Sequence, residues 1–396
     1  MQQNRWFAFS RVVWLLSLVS LMTDLASELL YPVLPLYLKQ IGYNEYFIGW
    51  VEGLADAVSG LAKGYFGAWS DLAGKRVPFV RLGYFLSAVS KPLMILSLSA
   101  YWVLAVRSLD RLGKGIRTGA RDALLASQTT PDNKATVFGF HRSMDTLGAV
   151  LGPVAALVYL YFYPNDYATL FMIAFFPGLI AVFITYLLRE KAPAERSTRM
   201  PGWRYFSFFR YWRQSSPAYR KLVLGLLLFY AFNSSDVFLL LQLKARGYSD
   251  TAMILMYVYY NIIYALAAYP LGIRADQVGL KRMFLFGLVI FAIVYAGMAH
   301  LPSETGIFLA GLLFTAYGLY AAATESIAKA WISRLVPVGE TGSALGFFAG
   351  MQSIAFLTAN LITGAIWSGY GAWTALMLPA GMTILVILYF VLLADE

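Results

Sequence analysis

Cysteine is absent from the 396 residues, and histidine occurs twice, at His141 and His300. Disulfides, thiolate metal sites and cysteine nucleophiles are therefore excluded, and two histidines so far apart give no metal-ligand spacing. Charge is scarce too. Asp, Glu, Lys and Arg make up 13% of the chain, against roughly 25% in a soluble globular protein. Catalytic signatures are also missing: no H-E-x-x-H and no G-x-S-x-G occurs, and no G-x-x-x-x-G-K-[ST] phosphate loop. Neither an enzyme nor an ATP-driven pump is expected. What fills the chain instead is apolar, at 59%, which points to an integral membrane protein.

Apolar runs lie near 12–38, 46–69, 77–99, 101–125, 136–163, 167–188, 221–243, 251–273, 283–300, 305–332, 341–368 and 371–393. Nearly all are long enough for a membrane-crossing helix of about 20 residues. The expected fold is an all-α integral membrane protein with twelve transmembrane helices in two pseudo-symmetric six-helix bundles, residues 1–188 and 221–396. The first run is too long for a signal-peptide core and is expected to be retained. Residues 189–220 form the long connection, and the cations from Arg189 to Lys221 face two acids, Glu190 and Glu195. The positive-inside rule makes this segment cytoplasmic, and an even helix count places both termini there too. Its stretch WRYFSFFRYWR (203–213) mixes aromatics with arginines, as a segment lying among anionic headgroups does. The basic balance thus implies a lipid bilayer as partner, and no nucleic acid.

The chain repeats itself at an offset of 205 residues. LYLKQIGYNE (36–45) returns as LQLKARGYSD (241–250), and Gly67, Asp71 and Gly74 return as Gly272, Asp276 and Gly279. Two similar halves in a membrane imply a site at their interface near the midplane, exposed alternately to each side.

The pattern Gly67-x-x-x-Asp71-x-x-Gly74-Lys75-Arg76 resembles the loop signature of the major facilitator superfamily. Arg111-x-x-x-Gly115 is a partial match to the family's arginine-glycine motif, with Arg117 where a second glycine is usual. Gly139, Gly148, Gly152 and Pro153 resemble the motif associated with proton-coupled antiporters, with Ala156 in place of its last glycine. TDLASE (23–28), DRLGKGIRTGARDALLA (110–126) and GFHRSMDTLGAVLGP (139–153) are similar to a widespread bacterial group within the family. The resemblance implies the family's fold and solute transport in a bacterial cytoplasmic (inner) membrane. It leaves the cargo open.

The residues also have readings of their own. Asp71 near a helix end, with Lys75 and Arg76 beside it, can form a charge-assisted latch that makes and breaks between states. Asp276, whose loop has an extra residue before Lys281, is expected to matter less. Gly148 and Gly152 permit close helix approach, and Pro153 interrupts a helical hydrogen bond. In the fourth run Arg107, Asp110, Arg111, Lys114, Arg117 and Arg121 share an arc of roughly 120° at helical periodicity. Lipid cannot face such a stripe, so it must meet a wet cavity or counter-charges. Asp24 and Glu28, spaced i, i+4 inside the first apolar run, share one helix face. With Asp56 they are the candidate proton-coupling groups, and Arg107, Arg111 and Lys114 are the candidate cavity cations. Arg111 is expected to outweigh Arg121 for transport.

Arg117, Arg121, Asp122, His141, Arg142 and Asp145 admit a second reading, as an ion-pair network locking the N-terminal bundle. The C-terminal half offers Asn233, Asp236, Asn261, Glu325, Gln352 and Asn360 as polar contributors. Its abundant aromatics read as interface belts and core. The expectation is a monomeric secondary transporter of a small molecule, with no cofactor and a proton gradient as energy source. Efflux by proton antiport leads, with uptake of an anionic metabolite or metal chelate as the alternative, and a scaffold or receptor outside that class.

Overall fold

The computed structural model describes residues 9–31, 33–43, 45–190, 207–248, 250–302 and 307–392. Within these, a few helix side chains, those of Glu52 and Asp56 among them, lie outside the description. The basic stretch 191–206 also falls outside the described residues.

The first half comprises α1 (Arg11–Leu30), α2 (Val33–Gln40), α3 (Glu45–Ala73), α4 (Val77–Leu93), α5 (Ala100–Ala126), α6 (Lys134–Phe162) and α7 (Tyr167–Tyr186). A short helix, α8 (Ser207–Gln214), precedes the second half: α9 (Pro217–Tyr230), α10 (Val237–Ala245), α11 (Asp250–Val278), α12 (Leu280–Ala299), α13 (Ile307–Arg334) and α14 (Thr341–Leu392). The expected twelve spans emerge once three breaks are recognised. Runs 12–38 and 221–243 are each two helices end to end, α1 with α2 and α9 with α10. α14 is two spans joined at Gly371, whose φ of 86° no continuous helix contains.

Local chemistry sets these boundaries. Ser10 and Ser216 cap α1 and α9 by accepting from the amides of Val13 and Tyr219, and Pro217 opens α9 where its missing N–H is harmless. The duplication is visible in the backbone: Gly42 and Gly247 both turn at positive φ, as do Gly74 and Gly279. These equivalent turns need a residue without Cβ.

Among the described helices, six are long and apolar enough by themselves to cross a membrane. Of the others, α9 falls short because it ends after 14 residues at a break, and α5 because it carries the charged stripe. Large apolar side chains such as Leu266, Phe308, Leu361 and Leu385 are exposed on the outside, where lipid acyl chains solvate them. Lone apolar contact with lipid does not hold halves together, so the seam uses glycine. A Cβ on Gly67 of α3 would sit 2.5 Å from the Gly342 carbonyl of α14, and one on Gly139 of α6 would sit 2.4 Å from the Ala268 carbonyl of α11. Backbone meets backbone across both crossings.

Candidate substrate cavity

At the face bearing the α3–α4 and α11–α12 turns, here the linker face, the halves are bonded together. Asp71, buried at the end of α3, accepts from the amides of Gly342 and Ser343 at the start of α14 (3.2 and 2.6 Å) and from the Ser343 hydroxyl (3.0 Å). Arg76 pairs with Asp71 at 3.2 Å and donates to the Val338 carbonyl at 2.6 Å. Its own amide donates to Glu190, which also accepts from Val77 and so caps α4. Across the pseudo-twofold, Asp276 accepts from the amides of Ala135 and Thr136 (3.0 and 2.7 Å) and from the Thr136 hydroxyl (2.7 Å). Both aspartates thus sit at helix N-termini of the opposite half, where unpaired amides favour an anion. Asp276 makes as many bonds across the seam as Asp71, although its loop has an extra residue before Lys281. Lys75 is exposed.

Gly148 and Gly152 lie elsewhere. Cβ atoms there would meet Leu21 O at 2.4 Å and Leu29 N at 2.6 Å, so they pack α6 on α1 inside the first half. Pro153 is buried in the same helix.

Above the latch lies a cavity of about 410 Å³ between the halves. From the first half Asp24, Glu28, Lys114, Arg117 and Arg121 line it; from the second, Asn233, Asp236, Asn261, Glu325 and Gln352 do. Arg107, Arg111 and Asn360 are not among the residues that line it. The stripe on α5 is wider than the cavity: Arg107 turns to Asp110 at 3.2 Å, and Lys91 of α4 approaches that carboxylate at 3.7 Å. Arg111 is half-buried on the same helix. Asn360 instead accepts from the Ser235 amide at 2.7 Å, holding the break between α9 and α10. The side chain of Asp56 lies outside the described residues.

The charges at the cavity floor join helices within the first bundle and also reach the second. Arg142 of α6 pairs with Asp145 at 2.7 Å on its own helix and with Glu325 of α13 at 2.6 Å. Tyr264 of α11 donates to Glu325 at 2.8 Å and accepts from Arg142 at 2.5 Å. One turn along α13, Lys329 pairs with Asp122 of α5 at 2.8 Å, and Arg121 holds the same carboxylate at 2.8 Å. Ser20 of α1 donates to Asp145. His141 is buried within hydrogen-bond reach of Ser17, at 3.5 Å. Glu325 and Lys329 therefore tie α13 to α6 and α5, and opening the linker face must break both pairs.

The second half contributes an aromatic wall to the cavity, where interface belts and core are expected. Tyr230, Tyr257, Tyr260, Tyr264, Tyr317 and Tyr320 all line the cavity. Tyr260 donates to Asp236, and Asn233 donates to the Tyr320 hydroxyl at 2.8 Å. The signal was present, since Tyr257, Tyr260 and Tyr264 fall on one face at i, i+3 and i+7.

Two duplicated bundles enclosing a polar cavity, with broken helices beside it, define a solute transporter of the alternating-access kind. The pattern of the Major Facilitator Superfamily matches residues 16–259 and 222–396, and the chain belongs to that superfamily. It is 32% identical over 367 residues to an uncharacterized MFS-type transporter of Methanocaldococcus jannaschii, covering 90% of this chain and 89% of the relative. To multidrug resistance protein MdtG of Klebsiella pneumoniae it is 24% identical over 385 residues, covering 93% and 90%. Among solved structures, that of the human organic anion transporter MFSD10 superposes with a TM-score of 0.76 at 17% identity, over 96% of this chain and 99% of that one. The protein is thus a membrane-embedded transporter of a small molecule and not an enzyme.

Proposed function

We propose that this protein is a proton-coupled secondary transporter that exports a small organic compound by antiport. The observation that carries the reading is the placement of Asp24 and Glu28 on the cavity wall, with Lys114 in the same wall. Carboxyl groups partly withdrawn from water bind protons according to the charges that face them, and a rocking motion changes those charges. Such groups exchange protons with whichever side the cavity faces. The likeness to MdtG supports efflux as the direction.

The linker face is cytoplasmic in this reading, because the basic segment 189–220 belongs there. The bonds made by Asp71, Asp276, Glu325 and Lys329 then close the cytoplasmic side, and the described state is outward-facing. Both termini are cytoplasmic, the unit is a monomer in a bacterial inner membrane, and no cofactor takes part. The test is purified protein in liposomes under an imposed pH gradient, screened for substrate-dependent proton flux against cationic drugs, organic anions and metal chelates. Proton movement opposite to solute supports antiport. Movement in the same direction favours the second reading, uptake of an anionic metabolite or chelate, which the cationic cavity residues keep in play. Solute movement indifferent to the gradient contradicts both.

A further inference from the structure

Arg142 of α6 is shared between the halves. Its Nη1 holds Asp145 on its own helix and its Nη2 holds Glu325 of α13, at 2.7 and 2.6 Å. Its Nε donates to the hydroxyl of Tyr264 of α11, which itself donates to Glu325. Asp145 also meets α1. Ser20 donates to its Oδ1, and Asp24, one turn after Ser20, acts on it through space. Close packing of the two helices brings this about, since a Cβ on Gly148 would sit 3.2 Å from the Cβ of Asp24. A chain of contacts thus runs from a candidate proton carrier, through Asp145 and one guanidinium, to a carboxylate of the opposite half. Among the described residues, the other charged or titratable groups that face the two aspartates are Glu28 of α1, Lys114 and Arg121 of α5, and His141 of α6. α7, also packed on α1, has no charged residue. All of these groups belong to the first half and travel with the pair. Glu325 and Tyr264 do not.

We propose that Arg142 is the positioning residue through which the gate at the linker face sets proton binding at Asp24. While that face is closed, Glu325 balances the guanidinium, and Asp24 with Asp145 holds one proton between two carboxyl groups. Opening carries Glu325 and Tyr264 away and leaves the whole charge of Arg142 to Asp145. A negative charge has then left the neighbourhood of the pair, and the proton passes to water in the opened cavity. Lys329 departs in the same motion, but its charge is matched on Asp122, which Arg121 retains. Closing reverses the step: Glu325 returns, and the pair takes up a proton from the other side. Only the O–H bond of the carried proton is made and broken. This deepens the antiport reading, on which it rests, by naming the group that turns movement of the gate into movement of a proton.

The test follows the closed-to-open ratio of the full-length protein in nanodiscs against pH, read from spin labels placed at exposed Ala73 and Gln277. If the closed state holds one proton more than the open state, the ratio rises as pH falls, approaching on the order of tenfold per pH unit. Asp24→Asn should abolish that rise. Glu325→Gln should flatten it, and so should Arg142→Lys, whose ammonium cannot hold two carboxylates as the planar fork does. Lys329→Gln is the contrast: it weakens the same face, so it should lower the closed fraction at every pH and keep the parent slope. Asp71 and Asp276 also meet protons at this face, where their neutralisation favours opening. They are present in every variant, so the slope is read as the difference from Asp24→Asn. A parent slope no different from that of Asp24→Asn overturns the proposal. So does a parent-like slope in Glu325→Gln or Arg142→Lys, or a slope lost in Lys329→Gln as fully as in Glu325→Gln. A slope that needs Asp24 but not Glu325 leaves proton coupling standing without this switch. Absence of substrate-dependent proton flux in liposomes removes the antiport reading, and the slopes still decide whether Arg142 links gate and proton.

Discussion

Asp71 and Asp276 hold equivalent positions in the two halves, and each accepts hydrogen bonds from the first amides of a helix in the opposite half. Neither contact can survive separation of the halves at the linker face. Replacing either carboxylate by its amide keeps the shape and removes the charge. A charge-assisted bond of this kind contributes about 1.5–3 kcal/mol, so Asp71→Asn and Asp276→Asn should each raise the open-to-closed ratio by on the order of tenfold. The cysteine-free chain allows spin labels at exposed Ala73 and Gln277 to read that ratio as a distance distribution. An unchanged distribution in both variants would rule the latch out.

Glycine substitution should act on the same equilibrium by steric means. Gly67→Ala and Gly139→Ala place a methyl group 2.5 and 2.4 Å from carbonyl oxygens of the opposite half, closer than any real contact, and should populate the open state. Gly148→Ala clashes inside the first half, with Leu21 O. It should instead lower the unfolding midpoint and leave the distances between labels unchanged. Gly311, with nothing within 4 Å of its Cβ position, is the neutral control.

The contacts of the two arginines on α5 favour the opposite order from that expected of the stripe alone. Arg121 lines the cavity and holds Asp122, which in turn pairs with Lys329 of the other half. Arg111 does not line it. Arg121→Ala should therefore reduce transport more than Arg111→Ala, as liposome uptake rates would show.

Arg142 bridges the halves, so its loss should be felt in stability as well as in state. Arg142→Ala leaves Asp145 and Glu325 without their shared partner; because Arg142 and Glu325 are 33% and 39% exposed, the loss should cost about 1.5–3 kcal/mol, the range of hydrogen bonds to charged groups, and less where water screens them. Glu325→Gln leaves Arg142 paired with Asp145 and should cost less than half of that. Thermal unfolding of the two variants checks the ranking, and equal midpoints would contradict it.

Much of this architecture was legible in the sequence because membrane helices must be apolar and long. The internal repeat even located equivalent turns, and Gly42 and Gly247, with Gly74 and Gly279, share their positive φ. The acids of α1 were legible because charge inside an apolar run demands a polar neighbour. Three features were hidden. Pairs such as Asp122 with Lys329 depend on how the halves dock, which no local spacing encodes. The tyrosine wall has the same periodicity as a lipid-facing belt, and only the packing of α11 against α6 decides which way it looks. The width of the stripe on α5 exceeded the cavity, so Arg107 and Lys91 close on Asp110 while Arg117 and Arg121 reach the cavity.

The central claim is that the acids of α1 couple protons to solute movement. The most direct measurement is pH-gradient-driven transport in liposomes by the parent, Asp24→Asn and Glu28→Gln, set beside solute exchange without a gradient. Asp24, deeper in α1 than Glu28, should be the more sensitive. Asp24→Asn should keep exchange and lose stimulation by the gradient. Full gradient-driven transport by both variants would contradict the account and leave the pair as counter-ions to the cations of α5.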